Sequence, residues 1–282
     1  MRRNLSLVLA LAAFVLVSAR AEAITYGQVD STNAYSNVGS FIIQAPDGEI
    51  FPFCSGTLIA PNVFLTASHC TLYFTQVLEP EGYEAFVTFD QSIPYGDLTT
   101  GSTDLIAVTD VVSNPGYNQS QSDSGDIGAL ILAEAPAGIA PATLPQCGLL
   151  DRLSARNGLR GATFTAVGYG VQNRVVGGGV PYFQDVNPIP RMYAFSSFNA
   201  LNKGYLRLSQ NPSTGNGGAC YGDSGGPIFL TSGGTTYLVA ITITGDAVCR
   251  ATNVVYRLDT VSAQGFLDYV NDTYGTAIPT SC

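Results

Sequence analysis

The sequence is poor in charge, has a single histidine and lacks tryptophan, and each shortage narrows what it can be. Charged residues make up 12% of the 282, about half the usual ~25% share. Acids outnumber bases by 21 to 12, giving a formal charge of −9. This net negative charge argues against nucleic acid as a partner. One histidine cannot build a multi-histidine metal site, and neither Cys-x-x-Cys nor His-Glu-x-x-His occurs. No metal and no other cofactor is therefore implied. Six cysteines are too few for a disulfide scaffold at this length, although the number suits three bridges. There is no repeat of fixed period and no low-complexity tract. The one long apolar run, Leu5 to Val17, has 13 residues, short of the ~20 that span a bilayer.

That run reads as the core of a secretory signal, residues 1–23. Arg2 and Arg3 give the positive start, and Ala21-Glu22-Ala23 is a small-x-small cleavage site. Export predicts a secreted protein (extracellular, or periplasmic in a Gram-negative bacterium) with no membrane attachment once the signal is removed, in a compartment where disulfides persist. Cleavage after Ala23 would leave Ile24-Thr25-Tyr26-Gly27 as the new N-terminus.

What is present is apolar and strand-like. Hydrophobic residues reach 46%, enough for one large core or two smaller ones. Short apolar runs alternate with turn signals: Phe41 to Ile43, Thr57 to Ile59, Val63 to Thr66, Ala85 to Phe89, Leu105 to Val108 and Ile127 to Leu132. A second set follows at Ala162 to Val167, Tyr205 to Leu208, Pro227 to Leu230, Tyr237 to Thr244 and Asn253 to Arg257. Many short strands at this spacing predict an all-β sandwich or barrel. Ala135 to Gly148, rich in Pro and Ala, reads as a linker between the sets, and Gln172 to Pro190 as a long loop. Helical spacing is convincing only over Val261 to Val270.

One stretch stands out for chemistry, Gly218-Ala219-Cys220-Tyr221-Gly222-Asp223-Ser224-Gly225-Gly226-Pro227. Glycines around a hydroxyl permit a sharp turn whose amide N–H groups lie exposed beside it. The same stretch fits a plain Gly/Ser turn between strands, and also the G-x-S-x-G elbow of α/β-hydrolases. The histidine decides between them. His69 lies in Leu65-Thr66-Ala67-Ser68-His69-Cys70, and a bridge between Cys54 and Cys70 would hold it still, as a general base requires. It precedes Ser224, so the Ser, acid, His order of α/β-hydrolases fails, and the missing helices exclude a subtilisin-like chain. His, then Asp, then Ser on an all-β chain remains.

The sequence here resembles a chymotrypsin/trypsin-like serine peptidase. Cys54-Ser55-Gly56-Thr57-Leu58-Ile59 and Leu65 to Cys70 match the family's histidine region, Gly222 to Pro227 its serine region, and Asp126-Ile127-Gly128-Ala129-Leu130 is similar to its aspartate region. Asp104-Leu105-Ile106-Ala107-Val108 competes for the last role, but Asn114-Pro115-Gly116-Tyr117-Asn118 resembles the loop that precedes the family's aspartate and favours Asp126.

The resemblance implies two packed antiparallel six-stranded β-barrels with a C-terminal helix. In a peptidase domain of residues 24–282, the N-terminal barrel would cover about 24–140 and the C-terminal barrel about 149–260, with helix and tail at 261–282. It implies a monomeric serine endopeptidase acting on proteins or peptides through His69, Asp126 and Ser224, with Gly222 and Ser224 as oxyanion donors. It also implies an ion pair between the freed amino group of Ile24 and Asp223, and a bridge Cys220–Cys249, after which Cys147–Cys282 remains. Gly218 and Ala219 would form the floor of the substrate pocket, and Gly245 and Val254 its walls. A neutral floor cannot offset the burial of a cation, so no Lys/Arg selectivity is expected, and a small-to-medium apolar side chain fits best. Ile243 and Thr244 stand where the family has Ser-Trp, so a threonine would have to replace a hydroxyl that supports the aspartate. The alternative is a catalytically silent binding protein that keeps the peptidase fold.

Overall fold

The computed structural model describes residues 24–94, 103–171 and 186–282, with the backbone of 174–175 and 182–183. The predicted signal and most of the predicted loop after Gln172 lie outside the described residues. Twelve strands build two closed antiparallel barrels. The first contains β1 (Val38–Gln44), β2 (Ile50–Ala60), β3 (Val63–Thr66), β4 (Glu84–Thr88), β5 (Ile106–Ser113) and β6 (Gly128–Leu132). The second contains β7 (Thr163–Gly168), β8 (Met192–Leu201), β9 (Tyr205–Ser209), β10 (Pro227–Ser232), β11 (Thr235–Gly245) and β12 (Thr252–Arg257). Around each barrel the first three strands run in sequence and then meet the sixth, fifth and fourth, which closes on the first. The two halves thus share a topology without a repeat in their sequences. A two-residue strand, Gln28–Val29, adds to the outer edge of β8.

Strand chemistry follows the burial. All five residues of β6 are buried and apolar or glycine, as expected where both faces are covered. Three cores result. Phe41, Leu58, Phe64, Val87 and Leu130 fill the first barrel, and Phe164, Met192, Leu208, Val239 and Val255 fill the second. A third core lies between the barrels, where Ile59, Leu65, Val167, Phe229 and Ile241 meet α3 (Val261–Tyr274) through Phe266 and Leu267. The predicted C-terminal helix is therefore present and longer by one turn, capped by Thr260, whose hydroxyl accepts from Ala263 N. Two short α-helices go unannounced by the sequence pattern: α1 (Ser68–Tyr73), continued by a π-helical stretch (Phe74–Leu78) and a 3₁₀ turn (Glu79–Glu81), and α2 (Leu149–Ala155). Among the described residues, no helix is long and apolar enough to cross a membrane.

A buried ion pair joins the N-terminal segment to both barrels. Arg191 Nε donates to Asp30 Oδ2 at 2.9 Å, with both side chains fully buried. Its remaining N–H groups reach Val38 O, Phe89 O, the Tyr169 hydroxyl and Asn33 Oδ1.

Candidate active site

His69 sits in the first turn of α1, directly after β3. Asp126 lies just before β6, and the pairing of β3 with β6 brings the two together. Asp126 is 4% exposed. Its Oδ1 accepts from His69 N and its Oδ2 meets His69 Nδ1, both at 2.9 Å. Backbone and ring are thus gripped by one carboxylate, which fixes the ring's direction. Among the described residues, the hydrogen bonds to this carboxylate come from His69 alone, so the threonine support expected from the Ile243-Thr244 region is not formed. Asp104, the competing acid, is exposed, and its N–H donates to Asp90.

Two serines inside the quoted motifs organise this corner, and sequence reasoning passed over both. Ser68 Oγ donates to Ile127 O and accepts from Asn114 N, both at 2.8 Å, clamping α1 to the loop that carries Asp126. Ser55 reaches across to the second barrel. Its N–H donates to Ser224 O at 2.9 Å and its Oγ to Gly222 O at 3.0 Å. Side chains facing a partner loop leave no periodic signature, so only the motif's outline was available.

Ser224 is half-buried in the turn before β10. Gly225 has φ +78°, and a β-carbon there would lie 2.6 Å from Ser55 O and 2.7 Å from Ala67 N. Only glycine allows the turn to pass this close to the histidine segment. Gly225 N donates to Thr242 O, and Gly226 N to Asp223 O.

The Asp223 side chain points away from this surface into the protein and is 1% exposed. Its oxygens accept from Gly170 N and Cys220 N, each at 2.8 Å. Burial pushes its pKa up to about 7, although these two hydrogen bonds pull the other way. Ile24 is fully buried with the core of the second barrel. Its neighbour Thr25 forms a reciprocal backbone bridge with Gly218, at 2.9 and 3.0 Å.

The disulfides are Cys54–Cys70, Cys147–Cys282 and Cys220–Cys249. The first brackets His69. Its sulfurs and the His69 ring nitrogen lie close enough to suggest a metal cluster, but oxidised sulfurs offer no thiolate. Gly218 and Ala219 are buried and Gly245 is exposed. Val254 pairs with Thr244, whereas Gly245 faces Asn253, because a bulge between Thr242 and Thr244 shifts the register by one. Asn253 is 1% exposed and Val254 only half-buried.

The trypsin family model matches residues 27–263. Vitamin K-dependent protein C of Felis catus is 32% identical over 156 residues, 52% of this chain and 93% of that sequence. The Equus caballus protein of the same name is 32% identical over 163 residues, 54% of this chain and 97% of that sequence. Twin six-stranded barrels, a carboxylate-gripped histidine and a match across most of the length lead to one assignment: the chain belongs to the trypsin family of serine peptidases.

Proposed function

We propose that this protein is a secreted serine endopeptidase whose nucleophile is Ser224, with His69 as general base and Asp126 as its positioning acid. The observation that carries the reading is the double grip of Asp126 on His69. Held at Nδ1 by a carboxylate, the ring keeps its proton there and offers Nε2 as the base. In the reaction, Ser224 Oγ attacks a peptide carbonyl while Nε2 takes its proton. The N–H groups of Gly222 and Ser224 receive the oxyanion. Nε2 then protonates the leaving amine, and water repeats the sequence on the acyl-enzyme.

The N-terminus belongs to the same reading. Removal of residues 1–23 as a signal would free an ammonium at Ile24, and Asp223 is a buried carboxylate in need of a cation. Substrates are proteins or peptides, and the enzyme works as a monomer outside the cytoplasm.

A fluorophosphonate probe should label the secreted protein, and Ser224→Ala should abolish the labelling. Equal labelling of Ser224→Ala, or none of the wild type, would sink the assignment and favour a silent binding protein with the same fold. N-terminal sequencing should begin at Ile24; any other start refutes direct activation by signal removal.

A further inference from the structure

Four successive carbonyls in the turn before β10 are each held by a donor. Tyr221 O accepts from Val171 N at 2.7 Å, Asp223 O from Gly226 N at 2.9 Å, and Ser224 O from Ser55 N at 2.9 Å. Gly222 O accepts from the Ser55 hydroxyl at 3.0 Å. Three of these donors are backbone amides; the one on Gly222 is a side chain. Of the N–H groups in the same run, Asp223 N donates to Cys220 O and Gly225 N to Thr242 O. Those of Gly222 and Ser224 have no protein acceptor among the described residues. A trans peptide sets its C=O and N–H antiparallel, so a held carbonyl fixes the direction of the N–H across the bond. The Val171 contact thereby aims Gly222 N–H, and the Gly226 contact aims Ser224 N–H.

Between these two peptide planes lies the one that Ser55 holds. Gly222 has φ +91° and no side chain to restrict it, so this plane turns easily unless its carbonyl is tied. Ser55 is 0% exposed, and its hydroxyl has one way to point. Its Oγ accepts from Tyr169 N at 3.1 Å. A backbone amide can only donate, which leaves the hydroxyl proton for Gly222 O. Ser55 is braced in turn, because Thr66 Oγ1 donates to Ser55 O at 2.9 Å. The residue before it, Cys54, is bonded to Cys70 beside His69. The turn that carries Ser224 is thus held by the same barrel, and next to the same disulfide, that brackets His69.

We propose that Ser55 is a positioning residue for oxyanion binding: its hydroxyl holds the Gly222 carbonyl, and so keeps the N–H groups of Gly222 and Ser224 aimed at the oxygen that becomes charged. This rests on the serine-peptidase reading above. Ser55 itself touches no reacting atom. Its effect is greatest in the tetrahedral intermediate, where the two N–H groups face a full negative charge. It is small in the ground-state complex, where the carbonyl oxygen carries only a partial charge. Loss of the hydroxyl should therefore fall on kcat rather than on KM. A serine that served stability alone would lower Tm and leave both constants of the folded enzyme unchanged.

The test uses the secreted, disulfide-bonded enzyme, with active sites counted by fluorophosphonate for every variant. Ser55→Ala keeps the β-carbon and removes only the hydroxyl. On the best peptide amide its kcat should fall roughly 10- to 30-fold, less than the ~10²–10³ lost with a whole oxyanion donor, while KM stays within about twofold. Two inhibitors built on that peptide separate positioning from stability: a trifluoromethyl ketone and the matching alcohol. Ser224 Oγ adds to the ketone carbon, His69 Nε2 takes the proton, and the ketone oxygen becomes an anion. The alcohol binds uncharged. Ser55→Ala should weaken the ketone about 10-fold and leave the alcohol unchanged. Ser55→Gly lacks the same hydroxyl and should repeat this split, which keeps the test open if Ser55→Ala fails to fold. Equal weakening of both inhibitors, or an unchanged kcat in the two variants, overturns the proposal. A wild type that fluorophosphonate does not label refutes the underlying reading instead, and the proposal goes with it.

Discussion

Asp126 and Asp223 make an instructive pair, one delivered by each barrel. Both carboxylates are buried, at 4% and 1% exposure. Each accepts two N–H hydrogen bonds of 2.8–2.9 Å. The partners differ. Asp126 holds an ionisable ring, whereas Asp223 holds two backbone amides, and its pKa climbs to about 7. Two amide dipoles do not repay the loss of water around a buried charge, so the carboxyl takes up a proton more readily unless a cation stands beside it. A third acid supports this lesson, since Asp30 is equally buried and has Arg191 beside it.

The comparison can be broken most severely at Asp126. Asp126→Asn should lower kcat by about 10⁴ through loss of the correct ring tautomer. This is measured on the best peptide substrate, with an unchanged Tm showing that the fold persists. The effect at the third acid is on stability. Arg191→Met strands Asp30 as an unpaired buried charge and should cost about 3–5 kcal/mol in urea unfolding.

At Asp223 the effect should depend on pH. Its folded pKa, about 7, exceeds the ordinary 3.8, so the folded state binds the proton more tightly. Its contribution is complete below about pH 4 and is lost as pH rises towards 7. In uncleaved Ser224→Ala protein, Tm should fall across that window relative to the same protein carrying Asp223→Asn. Protein beginning at Ile24 should show a smaller fall, because the ammonium pairs with the carboxylate. An equal fall in both forms would deny Asp223 that partner. Smallest is a control far from these acids: Thr260→Ala removes the α3 cap and should cost ~1 kcal/mol, read by the same unfolding assay.

Covalent motifs and local order made much of this molecule legible in its sequence. His69 and Ser224 are marked by neighbours that serve only one arrangement, and the all-β class follows from short apolar runs. Asp126 needed the Asn114 to Asn118 loop as a landmark. Helices α1 and α2 have six and seven residues, too few turns for a 3.6-residue period to declare itself. Strand register was hidden for a different reason: a bulge between Thr242 and Thr244 sets Thr244 opposite Val254 and Gly245 opposite Asn253. Gln210 follows β9, and nothing near it in the chain announces that its amide fills the space beside Gly218. Ser55 and Ser68 were quoted as motif letters, but their cross-loop hydrogen bonds exist only in three dimensions.

The bridge from Cys147 to Cys282 spans 135 positions, from the segment between the barrels to the end of the chain. Wherever peptidases reach this chain, the bridge changes what damage means. A single cut at any peptide bond between residues 147 and 282 produces two pieces on one covalent thread. Such a molecule runs as a single species until its disulfides are reduced, and the second barrel, held by its own strand pairing, has no free fragment to lose.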